Sequence, residues 1–304
     1  MGSEPVAAAA AGTWKLGDLV VNRMGFGAMR LPQDGRALVS GATPSDRERA
    51  IAVLRRAVEL GVNHIDTAAF YFSPLRSANE LINTALAPYP DGLVIVTKVG
   101  PARDASGEWA PAARPDQLRG QVEENLRQLG RDHLDVVNLR YMPSMESVAE
   151  HFGALAELRD AGLIRHLGVS GVTPQQLAEA QAVAPVVCVQ NRYGIGASRE
   201  GHDFLDACGR QGVAFVPFFA VAGKGGGRGA VDGEYDEVLA IAGAHGVTPA
   251  QVRLAWTLQR GPHVLAIPGT GNTGHLAANV AAGALRLTPD EMTRLESLSA
   301  AAAA

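Results

Sequence analysis

The sequence predicts an α/β protein built as a single (β/α)8 TIM barrel that is preceded by an N-terminal β-hairpin. One observation is a length of 304 residues with 47% hydrophobic residues, enough for one domain of that size. Another is the alternation of short apolar segments, rich in Val, Ile and Leu, with helical stripes, as in parallel sheets covered on both faces. The last is that nearly every apolar segment ends in a polar residue, and the strand ends of such a barrel meet at the active-site face.

The elements can be placed in order from local signals. TWKL and LVVN flank Gly17-Asp18, a pair that favours a two-residue hairpin turn. MGFGAM is the first barrel strand, and Asp46 is expected to cap the helix that follows and ends at Gly61. The other seven strands are predicted at NHID, LVIVTK, LDVVNLR, RHLGVS, VVCVQN, VAFVPF and HVLAIP.

The predicted barrel domain spans residues 13–299. The alanine-rich stretches at residues 1–12 and 300–304 are expected to be disordered tails, since the first has no basic flank of the kind that precedes a signal sequence. We see no interdomain linker.

Composition excludes several functional classes. A net charge of −4 without a basic stripe argues against nucleic acid, and no apolar run is long enough to span a membrane. Cys188 and Cys208 form no CxxC pair or Cys/His cluster, so we expect core thiols, no metal site and a reducing, cytoplasmic setting. The sequence leaves the oligomeric state open.

Residues that could contact or react with a ligand close the predicted strands. They are Asp66, Lys98, Arg140, Ser170, Gln190, Phe218 and the pair Gly269-Thr270, with Tyr71 in the loop that follows Asp66. A free Tyr has a pKa near ~10, and a neighbouring ammonium is expected to lower it. We therefore predict that Asp66 holds Lys98 and that Tyr71 donates a proton to a carbonyl oxygen as hydride arrives.

The segments HIDTAAFY, IVTKVG, LGVS, VCVQN and IPGTGNTGHLAANVAA resemble the signatures of the aldo-keto reductases. The resemblance runs from about Val21 to Leu298 and keeps the order of the family's segments. It implies an NADPH-dependent TIM-barrel enzyme that reduces aldehydes or ketones to alcohols. VNLR, VCVQNRY and VPFF are similar to a branch resembling pyridoxal reductases, which implies a flat aromatic aldehyde such as pyridoxal as substrate.

The resemblance also assigns roles at the predicted strand ends. It places the catalytic residues at Asp66, Tyr71 and Lys98, and it implies that Ser170 and Gln190 hold the nicotinamide carboxamide. Phe218 stands where the family usually has a Tyr that stacks on the nicotinamide.

Two positions depart from the family's pattern. Gly171 replaces an Asn that also binds the carboxamide, which puts that contact in doubt. Arg140 replaces the family's fourth catalytic residue, a His. An Arg cannot act as a neutral imidazole, but it can stabilise a developing alkoxide or hold an anionic substrate group; alternatively it pairs with an acid at the rim.

The cofactor phosphates are expected near two segments. GKGGGRG supplies exposed backbone amides with the charges of Lys224 and Arg228, although a Gly-rich loop without a ligand has the same composition. The segment after the eighth strand leads from Gly269 and Thr270 into a helix N-terminus that suits an anion. By the resemblance, Thr270 contacts the 2′-phosphate, Asn279 the adenine, and His275 takes a place often held by Arg.

Two other functions fit the same residues. Loss of the usual His is also compatible with an NADP(H)-binding protein that senses redox state with little turnover. It is compatible as well with an enzyme that reduces C=C bonds. Carbonyl reduction ranks first because Asp66, Tyr71 and Lys98 are all present.

Overall fold

The structure, a computed structural model, describes residues 7–221 and 235–301. Its strands are β1 (Thr13–Leu16), β2 (Leu19–Asn22), β3 (Phe26–Gly27), β4 (His64–Asp66), β5 (Phe72–Ser73), β6 (Arg76–Ser77), β7 (Val94–Val99), β8 (Ala102–Arg103), β9 (Trp109–Ala110), β10 (Leu134–Arg140), β11 (Ile164–Ser170), β12 (Cys188–Gln190) and β13 (Ala214–Phe215). Its helices are α1 (Arg47–Glu59), α2 (Ala78–Leu86), α3 (Leu118–Leu129), α4 (Val148–Asp160), α5 (Pro174–Val183), α6 (Arg199–Arg210), α7 (Asp236–His245), α8 (Pro249–Gln259), α9 (Thr273–Ala281) and α10 (Pro289–Ala301).

The central sheet is parallel and has the strand order β13-β12-β11-β10-β7-β4-β3. The segment predicted as the eighth strand lies between its two edges. The amide of Leu265 donates to the carbonyl of Phe215 at 2.9 Å, and the amide of Ala266 donates to the carbonyl of Arg23 at 2.8 Å. This segment closes the barrel, so the predicted fold class is confirmed.

Strand alternation divides the core into two layers. Ile95 and Val137 belong to the layer between the strands and the surrounding helices. Val94, Val96 and Val136 belong to a second cluster inside the barrel, because successive strand residues point to opposite faces. Leu16 and Val21 of the β1–β2 hairpin join that inner cluster, so the hairpin covers the end of the barrel opposite the strand carboxyl ends.

Local signals behave as the sequence predicted. The carboxylate of Asp46 accepts a hydrogen bond from the amide of Arg49 at 2.7 Å and caps α1. Gly61, just after the helix, has a φ of +81°, a left-handed conformation that favours glycine.

The expectation of a disordered tail over residues 1–12 is wrong for Ala8–Ala11, which form a 3₁₀ turn. Ala8 is fully buried, and its amide donates to the carbonyl of Leu60 at 2.8 Å. Small alanine side chains allow this turn to pack closely against Gly61 and Gly283. An alanine-rich sequence is therefore not disordered at Ala8–Ala11, because small side chains are what this packing requires.

Candidate active site

The alternation of the strands brings the chemistry to the inner face at the carboxyl end of the barrel. Lys98 of β7 lies level with Asn138 of β10, which lies level with Gly168 of β11. One layer nearer the mouth, Arg140, Ser170 and Gln190 stand side by side on β10, β11 and β12. On β7, β10 and β12 these positions follow inward-facing apolar residues by an even number of steps, so their side chains point into the barrel.

Lys98, Arg140, Ser170 and Gln190 line a cleft of about 530 Å³. Eight of the residues singled out from the sequence border it: Asp66, Tyr71, Lys98, Arg140, Ser170, Gln190, Phe218 and Gly269. The convergence of the strand-end residues on one cavity is what the barrel prediction required.

Asp66, Lys98 and Tyr71 form a compact buried group. Lys98 Nζ lies 2.6 Å from Asp66 Oδ1 and donates also to the carbonyl of Thr67 at 3.0 Å. The same ammonium lies 4.8 Å from the centre of the Tyr71 ring. None of the three is more than 7% exposed, so their charges interact with little screening by water.

Burial and charge act in opposite directions on this group. Burial raises the pKa of Tyr71, and the Lys98 ammonium opposes that rise without reversing it. The sequence-based expectation of a lowered Tyr71 pKa is therefore wrong in its net direction, because a phenolate loses its hydration in this pocket. Burial alone lowers the pKa of Lys98, but Asp66 and Tyr71 outweigh it and the net shift is upward, which keeps the amine protonated.

Asp66 is held from two sides. Burial raises its pKa, while Lys98 and Gln190 oppose the rise. Gln190 Nε2 donates to Asp66 Oδ2 at 2.9 Å, and Asn138 Nδ2 lies 3.5 Å from Gln190 Oε1. Because a carboxylate only accepts hydrogen bonds, the contact with Asp66 fixes the orientation of the Gln190 amide.

A second polar network lies behind the strand ends. Thr67 Oγ1 donates to Asn79 Oδ1 at 2.7 Å, and Asn79 Nδ2 donates to Asn125 Oδ1 at 2.9 Å. Thr97 Oγ1 donates to the same Asn125 oxygen at 2.6 Å. The network joins helices α2 and α3 to the residues next to Asp66 and Lys98, which keeps those two strand ends in register.

Arg140 reaches across the mouth from β10. Its Nη1 donates to Ser170 Oγ at 3.3 Å, and its Cζ lies 5.1 Å from the centre of the Phe218 ring. The guanidinium therefore stands beside two residues expected to contact the nicotinamide, and inside the cleft rather than only at its rim.

Among the residues expected to contact phosphate and adenine, Thr270, His275 and Asn279 do not line the cleft, although Thr270 directly follows Gly269, which does. Asn272 caps α9 by accepting from the amide of His275 at 3.0 Å, and the His275 side chain is exposed. Thr270 and Asn279 are each 8% exposed, and Thr270 Oγ1 accepts from the amide of Asn272 at 3.1 Å. Lys224 and Arg228 lie outside the described residues.

Several cleft residues escaped the sequence analysis. They form an apolar and aromatic wall: Met29, Leu38, Phe70, Trp109, Met142 and Phe219. Phe70 packs edge-on against Tyr71 with ring centres 5.0 Å apart, and Trp109 lies 6.1 Å from Phe70. These side chains come from loops, from the 3₁₀ turn Ala28–Arg30 and from the two-residue strand β9, where no strand periodicity marks the direction of a side chain.

Arg103 holds part of this wall in place. Its Nη1 donates to the carbonyls of Phe70 and Phe72 at 3.1 and 2.8 Å, and its guanidinium lies 4.4 Å from the centre of the Phe72 ring. The loop that carries Tyr71 is thus tied to the β8–β9 hairpin that carries Trp109.

Comparison with known proteins agrees with this geometry. The model of the Aldo/keto reductase family matches residues 23–300. The chain is 45% identical to the pyridoxine 4-dehydrogenase of Escherichia coli strain K12, over 94% of this chain and 98% of that protein.

Solved structures give the same result. A thermostable aldo-keto reductase in complex with the inhibitor epalrestat is 29% identical and superposes with a TM-score of 0.76, covering 94% of this chain and 99% of that one. An aldo/keto reductase from Klebsiella pneumoniae in complex with NADP and acetate is 26% identical, with a TM-score of 0.74 over 92% of each chain.

The chain belongs to the aldo/keto reductase family and is an oxidoreductase. The predicted resemblance to the branch of pyridoxal reductases is confirmed by the match to the E. coli protein. The comparisons do not favour the redox-sensing protein or the C=C reductase. No helix in residues 7–221 or 235–301 is long and apolar enough to cross a membrane.

Proposed function

We propose that this enzyme interconverts pyridoxal, or a closely similar aromatic aldehyde, and its alcohol, with Tyr71 as the proton donor in reduction. The cofactor is NADP(H). The observation that carries the proposal is the buried group of Asp66, Lys98 and Tyr71 in a cleft that is also lined by aromatic side chains. Such a lining suits a flat ring, because aromatic pairs favour offset or edge-on contacts.

The residues present fit a nicotinamide at the floor of the cleft. Ser170 provides a hydroxyl, Gln190 an amide and Phe218 a ring face, all bordering the same cavity. We assign the carboxamide to Ser170 and Gln190, and the ring contact to Phe218. Thr270, His275 and Asn279 are proposed for the phosphate and adenine end, with Lys224 and Arg228 as candidates outside the described residues.

Bound NADPH supplies a hydride to the carbonyl carbon. In the proposed mechanism, the Tyr71 hydroxyl gives its proton to the carbonyl oxygen as negative charge develops there. Lys98 stabilises the resulting phenolate, and Asp66 keeps the ammonium at 2.6 Å in position. Arg140 adds a permanent positive charge at the same mouth, which favours an alkoxide or an anionic ring substituent. Alcohol oxidation uses the same groups in reverse.

Replacing Tyr71 by Phe tests this assignment. Tyr71→Phe should lower kcat for pyridoxal reduction by roughly 10²–10⁴-fold, the usual contribution of a general acid, while NADPH still quenches the protein's fluorescence. The measurement is the decrease in NADPH absorbance with pyridoxal, paired with the reverse assay using pyridoxine and NADP⁺.

Tyr89→Phe is a matched control, because it also removes one phenolic hydroxyl. Tyr89 lies before β7, at the opposite end of that strand from Lys98, and its hydroxyl donates to the carbonyl of Leu129 at 2.7 Å. This variant should keep wild-type kcat. Full activity in Tyr71→Phe would refute the proposed role, and turnover of other aldehydes without pyridoxal would refute the substrate.

A cytoplasmic setting is part of the proposal. It is supported by Cys188 and Cys208, which are both free and buried, as thiols commonly are in reducing compartments.

A further inference from the structure

Gly171 leaves no room for a side chain. It directly follows β11 and has a φ of +70°. A Cβ atom placed on it would lie 2.2 Å from Arg140 Nη1 and 2.7 Å from Arg140 Cζ. Real Cβ contacts are not this short, so any larger residue at 171 requires either the backbone or the guanidinium to move.

The backbone at Gly171 is held in place. Its amide lies 3.0 Å from the carbonyl of Gln190 and 2.8 Å from Asn191 Oδ1. The Asn191 side chain also accepts from the amide of Val172 at 3.1 Å and donates to the carbonyl of Val172 at 2.7 Å. With the peptide clamped by these contacts, a side chain at 171 would displace the guanidinium.

The position of that guanidinium matters for Ser170. Arg140 Nη1 donates to Ser170 Oγ at 3.3 Å. Since a guanidinium has donors and no acceptor, the Ser170 oxygen must accept, and its own hydroxyl hydrogen is directed elsewhere. Arg140 therefore orients the hydroxyl that borders the floor of the cleft.

We propose that Gly171 is the positioning residue for Arg140, and that the two form a size-matched pair in which the absent side chain admits the guanidinium to Ser170. This inference rests on the proposed function for its kinetic consequence, but not for the contact itself. A side chain at position 171 is thus expected to be more damaging when Arg140 is present than when it is absent.

The test is a double-mutant cycle with Gly171→Asn, Arg140→Ala and the double variant. Asn tolerates positive φ better than most residues, so a loss caused by Asn at 171 would come from the collision with Arg140 and not from backbone strain. With Arg140 present, Gly171→Asn should weaken NADPH binding about tenfold and lower the melting temperature of the ligand-free protein, an interaction of the size seen between contacting residues. In the Arg140→Ala background the same change should weaken NADPH binding less than about threefold, because the side chain then has room.

Gly212→Asn is the matched control. Gly212 has the same φ of +70°, and a Cβ on it would meet no atom within 4 Å. This variant should leave NADPH affinity, KM and kcat unchanged. The pairing would be overturned if Gly171→Asn lowered NADPH affinity and melting temperature equally with and without Arg140. Misfolding of Gly171→Asn in both backgrounds would also overturn it.

The melting temperature separates this inference from the proposed function. If no carbonyl compound is reduced, the coupling between residues 140 and 171 can still be measured in the ligand-free protein. Misfolding of Gly171→Asn that is rescued by Arg140→Ala would support the pairing without any activity assay.

Discussion

At the scale of single residues, the proposed mechanism depends on the protonation state of Tyr71. In that mechanism, reduction needs the protonated phenol, and oxidation needs the phenolate. Burial raises the pKa of Tyr71 while Lys98 opposes the rise, so the phenol stays protonated throughout the neutral range. The protein thereby favours the proton-donating form at ordinary pH.

The pH dependence of kcat tests this electrostatic argument. The ordinary pKa of Tyr is near ~10 and the shift is upward, so kcat for reduction should be flat from about pH 6 to about pH 9.5 and fall only above. Oxidation of the alcohol should speed up with pH over the same range. A fall in the reductive kcat centred near pH 7 to 8 would contradict a Tyr71 proton donor with a raised pKa, and the residual activity of Tyr71→Phe should show no alkaline limb.

At the scale of secondary-structure elements, the site depends on helices that never touch a substrate. Asn125 on α3 is completely buried and accepts from both Asn79 on α2 and Thr97 on β7. Its own Nδ2 donates to the carbonyl of Gln121 at 2.8 Å. One side chain thus joins two helices to the strand that ends in Lys98.

Replacing Asn125 by Leu should therefore destabilise the fold. The donors of Asn79 and Thr97 would stay buried without their acceptor, at about 1–3 kcal/mol for each group. We expect the free energy of unfolding in urea to fall by at least about 2 kcal/mol. Gln175→Ala, at an exposed residue of α5, is the control and should change it little. Wild-type stability in Asn125→Leu would show that water or rearrangement satisfies these donors.

Whether the position of a side chain can be predicted from the sequence depends on the element that carries it. Strand ends such as Lys98 and Gln190 are predictable, because parallel strands alternate faces and all end at one mouth. Asn125 is not, because a polar residue in a helix gives no sign of whether it faces solvent or a strand. Asn138 offered a signal that went unused: an amide inside the apolar run VVNL has to find buried partners.

The position of Trp109 and the lack of space for a side chain at residue 171 could not be predicted from the sequence for a different reason. The side chain of Trp109 approaches the cleft from a short hairpin whose path only the folded chain defines. The collision with Arg140 depends on a distance between two strands. The family resemblance marked positions 140 and 171 as unusual, but only the coordinates connect them.

At the scale of the whole molecule, the barrel is closed and covered at the end away from the site. The eighth segment bridges β13 and the residues before β3, and the β1–β2 hairpin adds Leu16 and Val21 to the inner core. The 3₁₀ turn at Ala8–Ala11 packs next to the same end through Leu60. The closed end and the candidate active site thus lie at opposite ends of the strands, as is general for this fold.

Arg23 connects the parts of the closed end. Its guanidinium donates to the carbonyls of Ala11, Leu258, Gly261 and Val264, which belong to the N-terminal turn, the end of α8 and the segment leading into the eighth strand. Replacing Arg23 by Met keeps most of the side-chain volume and removes all the hydrogen-bond donors of the guanidinium. We expect the free energy of unfolding to fall by at least about 2 kcal/mol, since hydrogen bonds from a charged group contribute more than neutral ones.

Because Arg23 lies at the far end from Lys98, kcat and KM of Arg23→Met should equal those of the wild type below its melting temperature. Arg286→Met is the control: Arg286 also donates to backbone carbonyls at this end, Ala10 and Gly283, but it is exposed, so its loss should destabilise less. Urea unfolding of the three proteins, with steady-state kinetics on the same samples, measures both effects. A loss of kcat in Arg23→Met without loss of stability would mean that the closed end influences the mouth, and that barrel closure and chemistry are coupled through the strands.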